Sequence, residues 1–421
     1  MNTFFLVLMI AAWCSYVIVS PRSRRAKTLL IAGAMLRFAS SFFALYVIGA
    51  LYGGGDYLGY MRNGTRLASW MDMGKWDLVS SYFWQSGLPV WGTQFISNIV
   101  AVAVYLFGLN LPELFVVFSF VGYAGCVLLA AAVRRVYGEQ VYDRVLAGLM
   151  LFPSLWFWPS ILGKEPLVLL GIGLALLGYV SLRSPLRPAL VGGGILLVFL
   201  IRPQIAVVLV FALMAGLWLN NQGAWTAGRI VQMALGLIVA FVAISYASDA
   251  LGFSVTDSGE LDDYLTSRSS KSSYGGSAIE LGGPTWAKPL LGLGTVLFRP
   301  FPWEASGGAG LVSAIETLLF WVFAWNRRGQ ILAFLKTRPR TALFWFSVAF
   351  VLVYATTLGV AVGNLGTLVR QRLHIYPFLF LFLVAIPVRR KARRAPGQAA
   401  RRPALPPARP PALPPALAPV S

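Results

Sequence analysis

Apolar residues run through this chain in long stretches that show no alternation between polar and apolar positions. A bilayer offers peptide groups no hydrogen-bond partners, so each crossing must pair its own backbone, and unalternated runs favour helices over barrel strands. Hydrophobic residues make up 57% of the sequence and charged residues 12%, which does not suit a water-soluble surface. The sequence therefore predicts an all-α, polytopic transmembrane bundle with about 12 crossings.

Basic residues set the predicted orientation, because Lys and Arg in short loops stay on the cytoplasmic side. They cluster at Arg22–Lys27, Arg134–Arg144, Arg183–Arg187, Arg327–Arg340 and Arg389–Arg394, whereas most acids fall in the other loops. We expect a multi-pass protein of the plasma (inner) membrane, with an extracytoplasmic N-terminus and a cytoplasmic C-terminal tail. The net charge of +20 is mostly this topology signal and does not indicate a nucleic-acid partner.

The pattern divides the chain into five parts. They are an additional N-terminal transmembrane helix with a basic loop (1–27), a membrane core (28–248) that includes a first extracytoplasmic loop (53–92), a large extracytoplasmic loop (249–310), C-terminal transmembrane helices (311–388) and a basic Pro/Ala-rich cytoplasmic tail (389–421). The two extracytoplasmic loop regions are rich in aromatic residues and are expected to contain interfacial helices. The tail is too rich in Pro, Ala and Arg to build a core and is predicted to be disordered.

The region between Lys27 and Arg134 presents a parity problem. Three crossings are predicted there, whereas two cytoplasmic loops must be joined by an even number. Two solutions remain open: the stretch from Gly74 to Trp91 crosses in part, or the stretch from Thr93 to Leu109 is re-entrant.

Asp56 follows three glycines at the outer end of the second predicted helix. Glycine gives the backbone freedom to turn a carboxylate towards a cavity at the membrane surface. Asp56 is therefore the first candidate for a catalytic base, and the alternative is an ordinary acid at a helix end.

Two further predicted outer turns carry charge. Lys164 and Glu165 lie in a hairpin between apolar helices, where they either neutralise each other or contact a substrate. Arg202 lies in another outer turn, against the usual exclusion of positive charge from that side. Its fork of donors matches phosphate or pyrophosphate, and the alternative is a pair with an acid of a neighbouring helix.

The string Phe298-Arg299-Pro300-Phe301-Pro302-Trp303-Glu304 combines stiff prolines, aromatic rings and two charges. A sugar ring stacks on an aromatic face while Arg299 and Glu304 bind hydroxyls or phosphate, although interfacial anchoring alone would explain Trp303.

Arg370, Arg372 and His374 precede the last apolar stretch and form a predicted anion-binding group. Arg37 and Glu316 lie within apolar stretches and suggest a structural pair as readily as a site. His374 is the only histidine, which excludes a multi-histidine metal or haem site.

Several short motifs resemble those of GT-C-type membrane glycosyltransferases. They are Asp56-Tyr57, Leu106-Phe107-Gly108-Leu109-Asn110, Arg134-Arg135-Val136-Tyr137-Gly138, Phe152-Pro153-Ser154, and Arg370-Gln371-Arg372 with Tyr376-Pro377. The resemblance implies catalysis by an acid in the first extracytoplasmic loop, here Asp56, and a polyprenyl-phosphate-linked sugar as donor. The family's acid pair is a single Asp here, which leaves use of a divalent cation open.

The late outer loop and outer arginines are also similar to those of O-antigen polymerases and ligases, which would imply metal-independent chemistry driven by arginine. Both resemblances imply transfer of a sugar or oligosaccharide to a glycan or lipid acceptor in cell-envelope or exopolysaccharide assembly. Arg202, Arg299 and Arg370 would then hold the phosphate leaving group. The non-enzymatic alternative is a transporter or a lipid-linked sugar flippase, with Arg37 and Glu316 lining a pathway.

Overall fold

The computed structural model describes residues 2–20, 22–84, 92–181, 184–220, 281, 284, 287–305, 307–337 and 341–384. The acidic group from Asp249 to Glu280 and the tail 389–421 lie outside these residues, as does most of the predicted loop 249–310. Within the described residues every regular element is a helix, which confirms the all-α prediction.

Seventeen α-helices are numbered here through the described residues. They are α1 (Asn2–Val19), α2 (Arg24–Tyr52), α3 (Asp56–Asp72), α4 (Trp76–Trp84), α5 (Thr93–Phe107), α6 (Leu111–Tyr137), α7 (Glu139–Leu151), α8 (Pro153–Phe157), α9 (Glu165–Val180), α10 (Arg187–Ile201), α11 (Pro203–Leu219), α12 (Lys288–Phe298), α13 (Gly307–Asn326), α14 (Arg328–Thr337), α15 (Ala342–Ala361), α16 (Leu365–Arg372) and α17 (Tyr376–Val384). Short 3₁₀ turns occupy Trp158–Ser160 and Pro302–Glu304.

Three of these helices contain segments long and apolar enough to cross a membrane: Arg24–Ala50 of α2, Leu111–Tyr137 of α6, and Ala342–Ala361 of α15. A fourth candidate is the broken pair Pro153–Ser160 and Glu165–Val180, in which the chain bends by 116° between the two helices. Other apolar helices are shorter, including α5, α10 and α11. The described helices thus support membrane association, while the predicted number of about 12 crossings is not confirmed.

Local sequence explains where the central helices begin. Asn110 accepts a hydrogen bond from the backbone of Glu113, whose carboxylate in turn accepts from the backbone of Asn110, so a capping box starts α6. Pro166 stands in the first turn of α9, where proline's missing N–H costs nothing. Glu165 is consequently held at the N-terminal end of α9, beside the break.

The core is built around α6 and α9, which pack along each other, with α2 and α7 on α6 and with α10 on α9. Small residues permit this approach: a Cβ added at Gly125 would lie 2.6 Å from the backbone of Leu169 and Leu170. A second group pairs α15 with α11 and α12. The turn Trp158–Ser160 before the break packs against α2, α6 and α9.

The region 53–92 contains two helices, α3 and α4, and α3 packs against α5. With nine residues, α4 is about 13 Å long and cannot cross a bilayer by itself. Residues 85–91 lie outside the described residues. For the region between Lys27 and Arg134, a partial crossing by 74–91 and a re-entrant 93–109 therefore both remain open.

Arg37 and Glu316 do not pair with each other. Arg37 donates from Nη2 to Sγ of Cys126 at 3.3 Å, whereas Glu316 accepts from the backbone N–H of Ser154 at 2.7 Å. Glu316 also accepts from the Ser154 hydroxyl. Each charge is thus held by a different neighbour.

Candidate functional site

Five of the ten predicted site residues come together in one cluster at the break before α9. They are Asp56, Lys164, Glu165, Arg202 and Arg370, and we call them the ion-pair cluster. Its members come from α3, from the turn before α9, from α9, from the turn between α10 and α11, and from α16.

Glu165 is the centre of the cluster. Its Oε1 accepts a hydrogen bond from Nη2 of Arg202 at 2.7 Å and lies 2.9 Å from Nε of Arg370. The side chains of Glu165 and Arg202 are only 4% and 7% exposed. One buried carboxylate thus holds two arginines side by side. Arg202 thus has an acid of a neighbouring helix as a partner.

Arg202 keeps a donor that the described residues leave unused. Its Nε–H group is buried and makes no hydrogen bond within the described part of the chain, whereas Nε of Arg370 lies 2.9 Å from Oε1 of Glu165. A buried donor without an acceptor costs free energy, so such groups usually meet an anion or water.

Arg202 is held in place by the turn between two apolar helices. It has an extended conformation, with φ −147° and ψ 87°, as the proline that follows it favours. Its backbone N–H closes α10 on the carbonyl of Val198 at 2.7 Å, and Pro203 starts α11.

Arg370 comes from α16, a short helix that starts where Asn364 caps the backbone N–H groups of Gly366 and Thr367. The helix ends with Arg370 and Arg372, where the negative end of the helix dipole favours cations. The charge of Glu165 is the main cause that raises the pKa of Arg370, against the opposing effect of burial.

Asp56 stands at the outer edge of the cluster as the first residue of α3, a position where the helix dipole favours an acid. The glycines before it make the turn: Gly53 and Gly54 have φ values of +65° and +124°, which disfavour other residues. The Oδ2 atom of Asp56 lies 3.4 Å from both Nη1 and Nη2 of Arg370, and the side chain is 62% exposed.

Lys164 belongs to the cluster by charge. Burial and then the charge of Arg202 lower its pKa, while Glu165 and Asp56 oppose the shift. Its Nζ donates to Oγ1 of Thr93 at 3.2 Å. Lys164 therefore does not simply neutralise Glu165, whose carboxylate is occupied by the two arginines.

The remaining predicted residues lie beside the cluster with partners of their own. Arg299 and Glu304 form a local pair, with Nη2 and Oε1 2.8 Å apart. Burial acts to raise the pKa of Glu304, but hydrogen bonds from Arg299 and from the backbone of Phe301 outweigh it and lower the pKa. Trp303 is 80% exposed and stacks on Phe301.

Arg372 is buried and points away from the cluster. Its Nη1 donates to the backbone carbonyl of Arg299 at 2.7 Å and its Nη2 to Oγ1 of Thr317 at 2.8 Å. His374 is also buried, with Nδ1 2.8 Å from the carbonyl of Gln371. Arg372 thus joins α16 to the segment of Arg299 and to α13. His374 also lies 3.2 Å from the hydroxyl of Tyr354 in α15 and interacts with the charges of Arg202 and Glu165, so it borders the ion-pair cluster.

A cavity of about 500 Å³ lies next to this connection. Its walls are mostly apolar and aromatic, including Phe298, Phe301, Leu318, Trp321 and Trp325. Thr317, the partner of Arg372, also lines it, so a single arginine links this cavity to the α16 end that carries Arg370.

Tyr60 and Thr93 were missed by the sequence reasoning. Tyr60 is buried one helical turn after Asp56, and burial raises its pKa, with the charges of Asp56 and Glu165 adding to the effect. The four-residue spacing could have predicted that Tyr60 lies near Asp56, because residues four apart face the same side of a helix. Nothing in the sequence marked Thr93, because threonine is common at helix starts.

The cluster does not fit a divalent cation. Among the described residues, no three His, Cys, Asp or Glu side chains form a group that could hold a metal ion. The neighbours of Asp56 and Glu165 are arginines and a lysine, which favour anions.

Comparisons with family models, with curated proteins and with solved structures found no match for this chain.

Proposed function

We propose that this protein is a membrane glycosyltransferase that moves a sugar or oligosaccharide from a polyprenyl-phosphate carrier to an acceptor outside the cytoplasm. The observation that carries the proposal is the pair of arginines on one oxygen of Glu165, with the buried Nε–H donor of Arg202 left without an acceptor among the described residues. Guanidinium groups in this arrangement suit the oxygens of a phosphate.

The proposed reaction breaks the bond between the sugar's anomeric carbon and a phosphate oxygen and forms one to an acceptor hydroxyl. The phosphate leaves with the electron pair, and Arg202 and Arg370 stabilise the charge that develops on it. Asp56 takes the acceptor's proton, a role supported by its exposure and by its contact with Arg370.

The apolar cavity that α13 lines suits a lipid carrier. Its aromatic and aliphatic walls extend along α13 from Ala314 to Trp325, about 16 Å of helix. An isoprenoid chain placed there would leave its phosphate near the end of α16. In this proposal about a dozen helices cross the plasma membrane, the cluster faces the extracytoplasmic side and the basic tail stays cytoplasmic.

The test is donor consumption, which does not require the acceptor to be known. Purified protein is reconstituted with membrane extract and incubated with a panel of radiolabelled polyprenyl-phosphate sugars, and released polyprenyl phosphate is measured. We expect Asp56→Asn to abolish release while expression is preserved, and Asp72→Asn, at the other end of α3, to leave it unchanged. An Asp56→Asn protein that is fully active, or a wild-type protein that consumes no donor, would contradict the proposal.

A lipid-linked sugar flippase is the second candidate, and the 116° break before α9 favours it, because broken helices are typical of transporter sites. Against it, Arg37 and Glu316 are buried and hydrogen-bonded to different neighbours, Cys126 and Ser154. A fluorescent lipid-linked sugar that changes leaflet in proteoliposomes with its glycosyl bond intact would favour the flippase.

A further inference from the structure

Arg370 has two carboxylate partners, and they differ in strength. Its Nε lies 2.9 Å from Glu165, whose side chain is buried and shared with Arg202. Its two terminal nitrogens lie 3.4 Å from a single oxygen of Asp56, which is largely exposed. The first contact is short and shielded from water, and the second is long and open to it.

This difference decides which carboxylate can leave. Removing Glu165 from the arginines would leave the buried Arg202 without a counter-charge, which is strongly unfavourable. Removing Asp56 returns an exposed carboxylate to water, and contacts between exposed ions contribute little. Asp56 is therefore the exchangeable partner of Arg370, and Glu165 is the permanent one.

We propose that Asp56 occupies the position on Arg370 that a phosphate takes, and that a bound phosphate displaces it from Arg370. The displaced carboxylate then stands free beside the phosphate, where it can accept a proton from an incoming hydroxyl. Substrate binding thus releases the base that the reaction uses. This catalytic consequence rests on the proposed function, whereas the exchange itself is a property of the anion site.

Charge indicates the class of anion. With Asp56 displaced, Lys164, Arg202 and Arg370 face the single carboxylate of Glu165, which leaves two positive charges in the ion-pair cluster. Two charges match a phosphate monoester dianion, the form in which a polyprenyl phosphate leaves after sugar transfer. With Asp56 in place the cluster has one positive charge less. Once Asp56 is displaced, the two positive charges match the dianion that leaves better than they match the phosphodiester monoanion of the donor.

The experiment measures binding of inorganic phosphate to the full-length protein in detergent, by calorimetry, for the wild type, Asp56→Asn and Asp72→Asn. We expect Asp56→Asn to bind phosphate more tightly, because the competing carboxylate is gone. The gain should be roughly two- to five-fold in affinity, which corresponds to the free energy of one contact between exposed ions. Asp72→Asn makes the same charge change at the far end of the helix and should bind like the wild type.

Equal or weaker binding by Asp56→Asn would overturn the exchange, and so would equal tightening by Asp72→Asn, which would indicate a long-range charge effect. The readout separates this inference from the proposed function. Tighter binding without any donor consumption would retain the exchange and reject the glycosyltransferase. Donor consumption with unchanged phosphate binding by Asp56→Asn would support the glycosyltransferase and reject the exchange.

Discussion

Glu165 and Arg202 form a buried ion pair in which Nη2 and Oε1 are 2.7 Å apart and at most 7% of either side chain is exposed. The pair joins the start of α9 to the turn between α10 and α11. A charge in this position is tolerable only with its partner, because neither side chain reaches enough water to be solvated.

Loss of either partner should therefore destabilise the protein. We expect Glu165→Ala to lower the free energy of unfolding by about 3–5 kcal/mol, because it leaves Arg202 buried and unpaired. Arg202→Ala should cost less, because Glu165 keeps Arg370 as its partner. Chemical unfolding of the purified protein in detergent measures this. Glu304→Ala is the matched control: its pair with Arg299 is more exposed, and we expect its removal to cost about 1 kcal/mol or less. Equal losses at Glu165 and Glu304 would contradict the argument.

Phosphate binding should depend on pH through Lys164. Because burial and Arg202 lower its pKa from the ordinary 10.5, Lys164 loses its proton, and its attraction for an anion, at a lower pH than an exposed lysine does. We expect phosphate affinity to fall as the pH rises towards 10.5. In Lys164→Arg the charge persists and this fall should disappear. A calorimetric pH series on both proteins checks this, and identical series would exclude Lys164 from the anion site.

The cavity beside α13 allows a test of the lipid chain. Leu318 lines the cavity and Leu319 does not, although both are more than half exposed on the same helix. We expect Leu318→Trp to fill the cavity and raise KM for a long-chain carrier several-fold, with little change for a carrier of one or two isoprene units. Leu319→Trp should change KM for neither the long-chain nor the short-chain carrier. Similar effects of the two substitutions would place the chain elsewhere.

The sequence predicted the helical class because apolar runs dictate it, and it predicted Asp56, Glu165, Arg202 and Arg370 because charges at the ends of such runs need partners. It could not predict which charges meet. Asp56 and Arg370 are 314 positions apart, and their approach depends on how α3 and α16 pack within the bundle. Arg37 and Glu316 illustrate the reverse: opposite charges in apolar helices suggested a pair, but α2 and α13 carry them to different neighbours.

Glycine packing under the site offers a last prediction. A Cβ at Gly125 of α6 would lie 2.6 Å from the backbone of α9, and backbone atoms cannot move aside as a side chain can. Gly125→Ala should therefore displace α9, which carries Glu165 at its start, and lower the free energy of unfolding by about 1–3 kcal/mol. Because Glu165 would shift relative to Arg202, phosphate binding should weaken as well.

Gly192→Ala is the control for this substitution. Gly192 lies in α10 with no atom within 4 Å of the added Cβ, so the methyl group meets open space, and alanine favours the helix by up to about 1 kcal/mol. We expect unchanged or slightly higher stability and unchanged phosphate binding. If Gly125→Ala behaved like Gly192→Ala in both measurements, the position of α9 would not depend on its contact with α6. The arginine pair would then have to be held in place by α10 and α16 alone.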